Sequence, residues 1–431
     1  MQYAARRQQL MQAMGGGLAI LPTAPEASRN ADTHYPYRPD SHFWYLTGFT
    51  EPEAVLVLDA RAGKSVLFCR AKNLDMEIWD GFRHGPDGAK EAFGFDEAYP
   101  IEELDTRIVT MLAEADTLYW GVGRRGEWDA RIGRWLEAAR GSRNLGPAPG
   151  RFADLAMLID AQRLIKDGAE IATLCRTGAI SAEAHVRAMQ ATRPGRHEYE
   201  IEAEILHTFV KHGARQPAYE SIVAGGANAC TLHYVGNRDR LADGDLLLID
   251  AGSEFMGYAG DITRTFPVNG VFSGPQRAVY EIVLAAQLAG IAQVRPGVAW
   301  NAFADAALKV LVEGLIDLKL LTGTVDANIE SGAYRQYYMH GLGHWIGLDV
   351  HDVGGRKDAN GDWIRFAPGM CTTVEPGLYI RPADNVPAEF HNIGIRIEDD
   401  VLVTATDHEV YTAGVPKAVD DIEALMRSAK G

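Results

Sequence analysis

The stretch 246–261, LLLIDAGSEFMGYAGD, carries two aspartates at a spacing that can do chemistry. Asp250 closes an apolar run, a Gly-containing turn follows, and Asp261 stands just ahead of Ile262-Thr263-Arg264-Thr265-Phe266. Read as a hairpin, the segment sets two carboxylates side by side. At an effective dielectric of ~20 and a separation of ~4 Å they repel by about 4 kcal/mol, so a cation or a shared proton must hold them together. The plain alternative is that both are turn residues, since Asp is common beside Gly. Residues later in the chain decide between these readings.

Met339-His340-Gly-Leu-Gly-His344 spaces two histidines as HExxH does, but no Glu follows the first and two glycines intrude, which argues against a zincin helix. Asp349-Val-His351-Asp352 comes next, then Thr373-Val-Glu375-Pro-Gly-Leu-Tyr379. In Gly394-Ile-Arg396-Ile-Glu398 the alternation puts Arg396 and Glu398 on one strand face. A buried face with a cation and a carboxylate is costly unless both are paired or coordinated. His233 lies beyond an apolar strand ending in small residues, and by itself it is an ordinary histidine.

Asp250, Asp261, His344, Glu375 and Glu398 supply four carboxylates and one imidazole. Four negative charges balance two dications and leave room for a bridging hydroxide. Oxygen-rich ligation with a single imidazole suits Mn²⁺, with Co²⁺ or Zn²⁺ as substitutes. Paired ions about 3.5–4 Å apart acidify a shared water and polarise a carbonyl, which points to amide hydrolysis.

The elements that must position these residues follow from length and pattern. A chain of 431 residues is too long for one ordinary core, and two domains are expected. The first, 1–165, reads as a small mixed α/β domain, with strands at 18–21, 43–46, 54–58, 65–69 and 117–121 and helices at 101–114 and 129–139. Gly121-Val-Gly-Arg-Arg-Gly126 mimics a dinucleotide fingerprint but lacks the βαβ start and the acidic partner downstream, so it is read as a strand-to-helix turn. The second domain, 166–431, opens with helices at 170–190 and 197–212 separated by Arg193-Pro-Gly195. Helices at 276–294 and 300–318, separated by Arg295-Pro-Gly297, repeat the arrangement and suggest two related halves.

Composition narrows the partners. With 47% hydrophobic and 23% charged residues the chain reads as soluble and globular, and its net charge of −16 with no basic cluster argues against a nucleic-acid partner. No stretch approaches the ~20 apolar residues of a membrane span. Gln8, Gln9 and Gln12 interrupt the N-terminal segment, against a signal sequence. Cys69, Cys175, Cys230 and Cys371 are scattered, as expected of reduced thiols in a cytoplasmic protein.

The four acids and one imidazole, with His233, His340, His351 and Arg396 at accompanying places, resemble the metal-dependent pita-bread peptidases, which include aminopeptidase P, prolidase and methionine aminopeptidase. Tyr35-Pro-Tyr-Arg38, Phe43-Trp-Tyr-Leu-Thr-Gly-Phe49 and Glu51-Pro-Glu53 resemble the N-terminal domain of the bacterial aminopeptidase P branch. The resemblance implies a small α/β domain followed by a pita-bread catalytic domain with a pseudo-twofold curved antiparallel sheet. It implies a manganese enzyme that removes the first residue from peptides with proline second, acting as a homodimer or homotetramer, and gives Asp32 and Trp79 a place near a neighbouring subunit's site.

On this reading Glu375 carries the proton to the leaving nitrogen, His351 stabilises the tetrahedral oxygens, and His233 stabilises the same species or positions substrate. His340, Tyr379 and Arg396 wall the proline pocket, unless Arg396 anchors Glu398 or a substrate carboxylate. The rival reading is an Xaa-Pro dipeptidase on the same site, which needs a clamp for the dipeptide's free carboxylate. A metal-free binder or a creatinase-like hydrolase is disfavoured by the intact acidic set.

Overall fold

In the computed structural model, which describes residues 2–429, the chain divides into two units, Met1–Arg163 and Leu164–Gly431. Alternation builds the first. Leu18, Ile20, Val55, Val57, Val66 and Phe68 share a core with Leu104, Ile108, Leu112, Ile132 and Trp135 of two helices, Leu104–Ala113 and Gly126–Gly141. Their strands belong to a six-stranded mixed sheet ordered Glu97–Pro100, Lys64–Cys69, Val55–Asp59, Leu18–Pro22, Thr117–Tyr119, Arg151–Ala153. The segment from Gly121 to Gly126 links strand to helix there.

One expected strand is a helix. Residues 43–46 fall within the helix Ser41–Thr47, because the Asp40 carboxylate accepts the Phe43 N–H at 3.0 Å and Gly48 closes the far end in the left-handed region at φ 67°. An apolar run with an N-cap before it and a glycine after it is a short buried helix.

The second unit carries the four expected helices, Gly168–Ala191, Glu198–Lys211, Gly274–Ile291 and Trp300–Asp317. Each begins at the expected place within two residues, and the third stops three residues early. They share one apolar core with one face of antiparallel strands: Leu247 and Ile249 of Leu246–Asp250, Val374 of Cys371–Val374, Ile395 of Ile393–Arg396. The alternate residues Leu248 and Asp250 are left for the opposite face.

The two halves repeat a hydrogen-bond pattern. Gly195 N–H donates to Leu241 O at 2.8 Å, Leu241 N–H to Arg196 O at 2.8 Å and Glu198 N–H to Asp239 O at 3.0 Å. In the other half Gly297 N–H donates to Phe366 O, Phe366 N–H to Val298 O and Trp300 N–H to Ile364 O, each at 2.9 Å. The glycines of both Arg-Pro-Gly breaks are left-handed, at φ 94° and 83°. The repeat in sequence is thus a repeat in structure.

Candidate metal centre and catalytic cleft

The strand Leu246–Asp250 pairs antiparallel with Thr263–Pro267, Asp250 opposite Thr263, which brings Asp261 alongside Asp250. The intervening residues form their own hairpin, Phe255 opposite Tyr258. One phenol sits between the two acids: Tyr219 Oη lies 2.6 Å from Asp250 Oδ1 and in short contact with Asp261 Oδ1. Residues 340–344 are not helical, and a side chain at Gly343 would run into the Thr373 carbonyl. That close approach holds His344 against the strand ending at Val374, with His344 N–H on Thr373 Oγ1 at 3.1 Å.

The predicted donors converge. Asp261, His344 and Glu398 offer ligand atoms within 4.8 Å of one another. His344 Nε2 is 3.5 Å from Asp261 Oδ2 and 3.6 Å from Glu375 Oε1. Its Nδ1 lies 3.0 Å from the Trp345 carbonyl, which takes that N–H and turns Nε2 toward the acids. Glu398 Oε2 accepts the Thr263 hydroxyl at 2.7 Å.

Burial pushes the Glu375 carboxyl up to about 7, raises Asp261, and holds Glu398 well above the usual carboxylate range, with neighbouring acids adding to the shift for each. Burial disfavours charge on His344, but Asp261 and Glu375 outweigh it and push the imidazole up to about 9. These shifts report crowded, buried acids that a cation or shared protons must hold together. Four carboxylates, an imidazole with Nε2 turned toward them and no thiolate fit divalent ions.

Arg396 and Glu398 do share a face, as the alternation implies. Arg396 is committed: its guanidinium reaches Asp250 Oδ2 at 2.6 Å, Tyr379 Oη at 2.8 Å and Thr263 Oγ1 at 3.1 Å. It therefore anchors Asp250 rather than Glu398. Tyr379 Oη passes its own hydrogen to His340 Nε2 at 2.8 Å, and His340 Nδ1 donates to Gly341 O at 2.8 Å. Burial and Arg396 lower His340 to about 4, which keeps it neutral.

A cleft of about 650 Å³ holds all five predicted ligands together with His233, His340, His351 and Arg396 in its lining. The His351 ring stands edge-on to His344 at 4.3 Å between centroids, and burial followed by His344 lowers its pKa. Asp32 and Trp79 belong to the first unit, Asp32 in the exposed turn after the strand Ser28–Asn30 and Trp79 82% exposed on the helix Leu74–Asp80. Sequence reasoning missed Tyr219, Thr263 and the buried Lys166–Asp352 pair, at 2.9 Å beside His351. Alternation in Thr263-Arg264-Thr265 could have pointed to Thr263; nothing local marks Tyr219.

Residues 172–405 match metallopeptidase family M24. The chain belongs to that family. Residues 3–119 of this M24 chain also match the aminopeptidase P N-terminal domain. It is 46% identical over 434 residues to the Xaa-Pro aminopeptidase of Escherichia coli K12, across 100% of this chain and 98% of that one. The solved structure of Pseudomonas aeruginosa aminopeptidase PepP superposes with a TM-score of 0.97 at 47% identity, covering 99% and 98% of the two chains. A zinc-substituted product complex of E. coli aminopeptidase P matches with a TM-score of 0.96 at 46% identity, over 100% and 98%. The mixed α/β fold with an N-terminal domain before the M24 domain is that of these relatives. Among the described residues no helix is long and apolar enough to cross a membrane.

Proposed function

We propose that this chain hydrolyses the bond between an N-terminal residue and a penultimate proline, with two divalent cations held by Asp250, Asp261, His344, Glu375 and Glu398. The observation that carries the reading is the convergence of these donors on one cleft in an M24 metallopeptidase. The oxygen-rich set favours Mn²⁺, with Co²⁺ or Zn²⁺ as substitutes. Bound ions supply Lewis acidity, polarising the scissile carbonyl and acidifying a water.

The chain's own residues do the rest. Glu375 Oε1 lies 3.4 Å from the Thr373 hydroxyl, and its Oε2, 4.0 Å from His340 Nδ1, carries the proton from water to the leaving nitrogen. His351, kept neutral, presents a ring N–H to the developing oxyanion. His233 positions the peptide at the cleft edge. Proline brings no amide hydrogen, so a wall of His340 and Arg396 need offer it no acceptor; Tyr379, expected in that wall, is fully buried behind them and holds their side chains instead. With Arg396 occupied by Asp250 and Tyr379, it does not clamp a free carboxylate, which disfavours the dipeptidase alternative.

The helix Leu74–Asp80 buries none of its residues, and Leu74, Ile78, Trp79 and nearby Phe82 are exposed. Such a patch fits a homodimer or homotetramer in which Trp79 and Asp32 meet a neighbouring copy. Cytoplasmic residence fits the four free thiols. Metal analysis of the purified protein, with cleavage of an Xaa-Pro-Yaa tripeptide compared against Xaa-Pro and Xaa-Ala-Yaa, tests the reading. Equal turnover of the alanine peptide would reject proline specificity, and full activity of a metal-stripped Asp261→Asn variant would reject the metal assignment.

A further inference from the structure

Three consecutive acids, Glu398, Asp399 and Asp400, stand at the back of the centre, and the proposed function uses the first alone. Asp399 and Asp400 are fully buried. Asp261 lies between the strands Tyr258–Ala259 and Thr263–Pro267, and its N–H is taken by a side chain: Asp400 Oδ2 accepts it at 3.0 Å. Asp400 N–H in turn donates to Thr412 Oγ1 at 3.0 Å, and the Thr412 hydroxyl donates to Asp399 Oδ1 at 2.9 Å.

Asp399 is tied on every side. Arg264 reaches its Oδ1 at 2.7 Å, while Lys417 and Gln287 reach its Oδ2 at 2.7 and 2.8 Å. The same Arg264 guanidinium donates to the carbonyls of Glu398 at 2.5 Å and Thr263 at 3.0 Å. Glu398 N–H donates to Thr263 O at 3.0 Å, and the Thr263 hydroxyl orients the Glu398 carboxylate. The Asp261 N–H thus leads to Asp400, and the carbonyls of Glu398 and Thr263 lead through Arg264 to Asp399.

We propose that Asp399 and Asp400 are positioning residues that fix the spacing of the Asp261 and Glu398 carboxylates, Asp400 by holding the Asp261 backbone and Asp399 by holding Arg264. The inference rests on the reading of Asp261 and Glu398 as metal ligands. A side chain that reaches a ligand's main chain constrains its carboxylate more directly than packing can, and outer partners of this kind are worth about 10–100-fold in metal affinity.

The test uses the full-length, metal-stripped protein, titrated calorimetrically with Mn²⁺ and spectroscopically with Co²⁺, whose visible absorption reports coordination geometry. Asp400→Ala should weaken Mn²⁺ binding by about 10–100-fold and change the Co²⁺ spectrum, with little change in KM for a proline peptide at saturating metal. Asp400→Asn, which keeps an acceptor toward the Asp261 N–H, should bind Mn²⁺ within about threefold of wild type. Should Asp400→Ala not fold, Thr412→Val decides, since it cuts the link between the two acids without a change in size; it should also weaken Mn²⁺ binding. Unchanged affinity and spectrum in the folded variants overturn the proposal, as does an Asn variant as impaired as Ala. A wild-type protein that binds no divalent ion would instead overturn the metal reading itself.

Discussion

Asp250 and Glu375 stand at matching places in the two halves of the second unit. Asp250 ends the antiparallel strand Leu246–Asp250 and Glu375 follows Cys371–Val374, each strand beginning just after a left-handed glycine, Gly244 at φ 89° or Gly369 at φ 90°. Their surroundings differ. Asp250 is paired with buried Arg396, whereas Glu375 faces His344 and other acids.

That asymmetry predicts opposite stability effects in the metal-free protein. Asp250→Ala strands Arg396 and should destabilise the fold by about 3–5 kcal/mol. Glu375 has a carboxyl raised to about 7, so it binds its proton more tightly folded than unfolded and loses stability as pH rises through that value. At pH 8 Glu375→Ala removes this burden and should unfold no more easily than wild type. Urea midpoints in chelator at pH 8 measure both, and equal shifts would contradict the Asp250–Arg396 assignment.

Metal uptake should release protons, in a number that depends on pH. His344, raised to about 9, is protonated at pH 8 without metal and must give up that proton, while Glu375, at about 7, adds to the release at pH 6. Calorimetric enthalpies in buffers of different ionisation heat should show more protons released at pH 6 than at pH 8. Release that does not vary with pH would contradict the assigned shifts.

His351→Ala should lower kcat by about 10²–10³ while metal content stays at the wild-type level, as for loss of one donor to an oxyanion. Normal turnover would remove His351 from the reaction, and lost metal would make it a structural support of His344.

Glu198 predicts an effect at a distance. Its buried carboxylate accepts from Gly225 N–H at 2.8 Å, Asn228 at 3.0 Å, the Tyr234 hydroxyl at 2.8 Å and Asp239 N–H at 2.9 Å, fixing both flanks of His233. Glu198→Gln sets an amide N–H against these donors, so KM should rise and thermal stability fall by about 1–3 kcal/mol, with metal content kept. An unchanged KM would show that the loop holds His233 without Glu198.

The convergence of the five donors on one cleft was legible because carboxylates at strand ends and two histidines in a glycine-containing stretch stand out. The paired helices were legible because their breaks repeat. Residues 43–46 were misread from apolar content alone, although Asp40 and Gly48 marked the helix. Tyr219 was missed because a tyrosine ahead of a strand is unremarkable until folding brings it between two acids far along the chain. Asp399 and Asp400 were passed over as continuations of a motif, since nothing in a row of acids says which of them faces the cleft.

The duplicated halves split the donors, Asp250 and Asp261 coming from one and His344, Glu375 and Glu398 from the other. On the proposed ligand set, a growing chain must reach residue 398 before all five donors can meet an ion. Before that point the first half holds only Asp250 and Asp261, two acids whose mutual repulsion Arg396 has not yet arrived to offset.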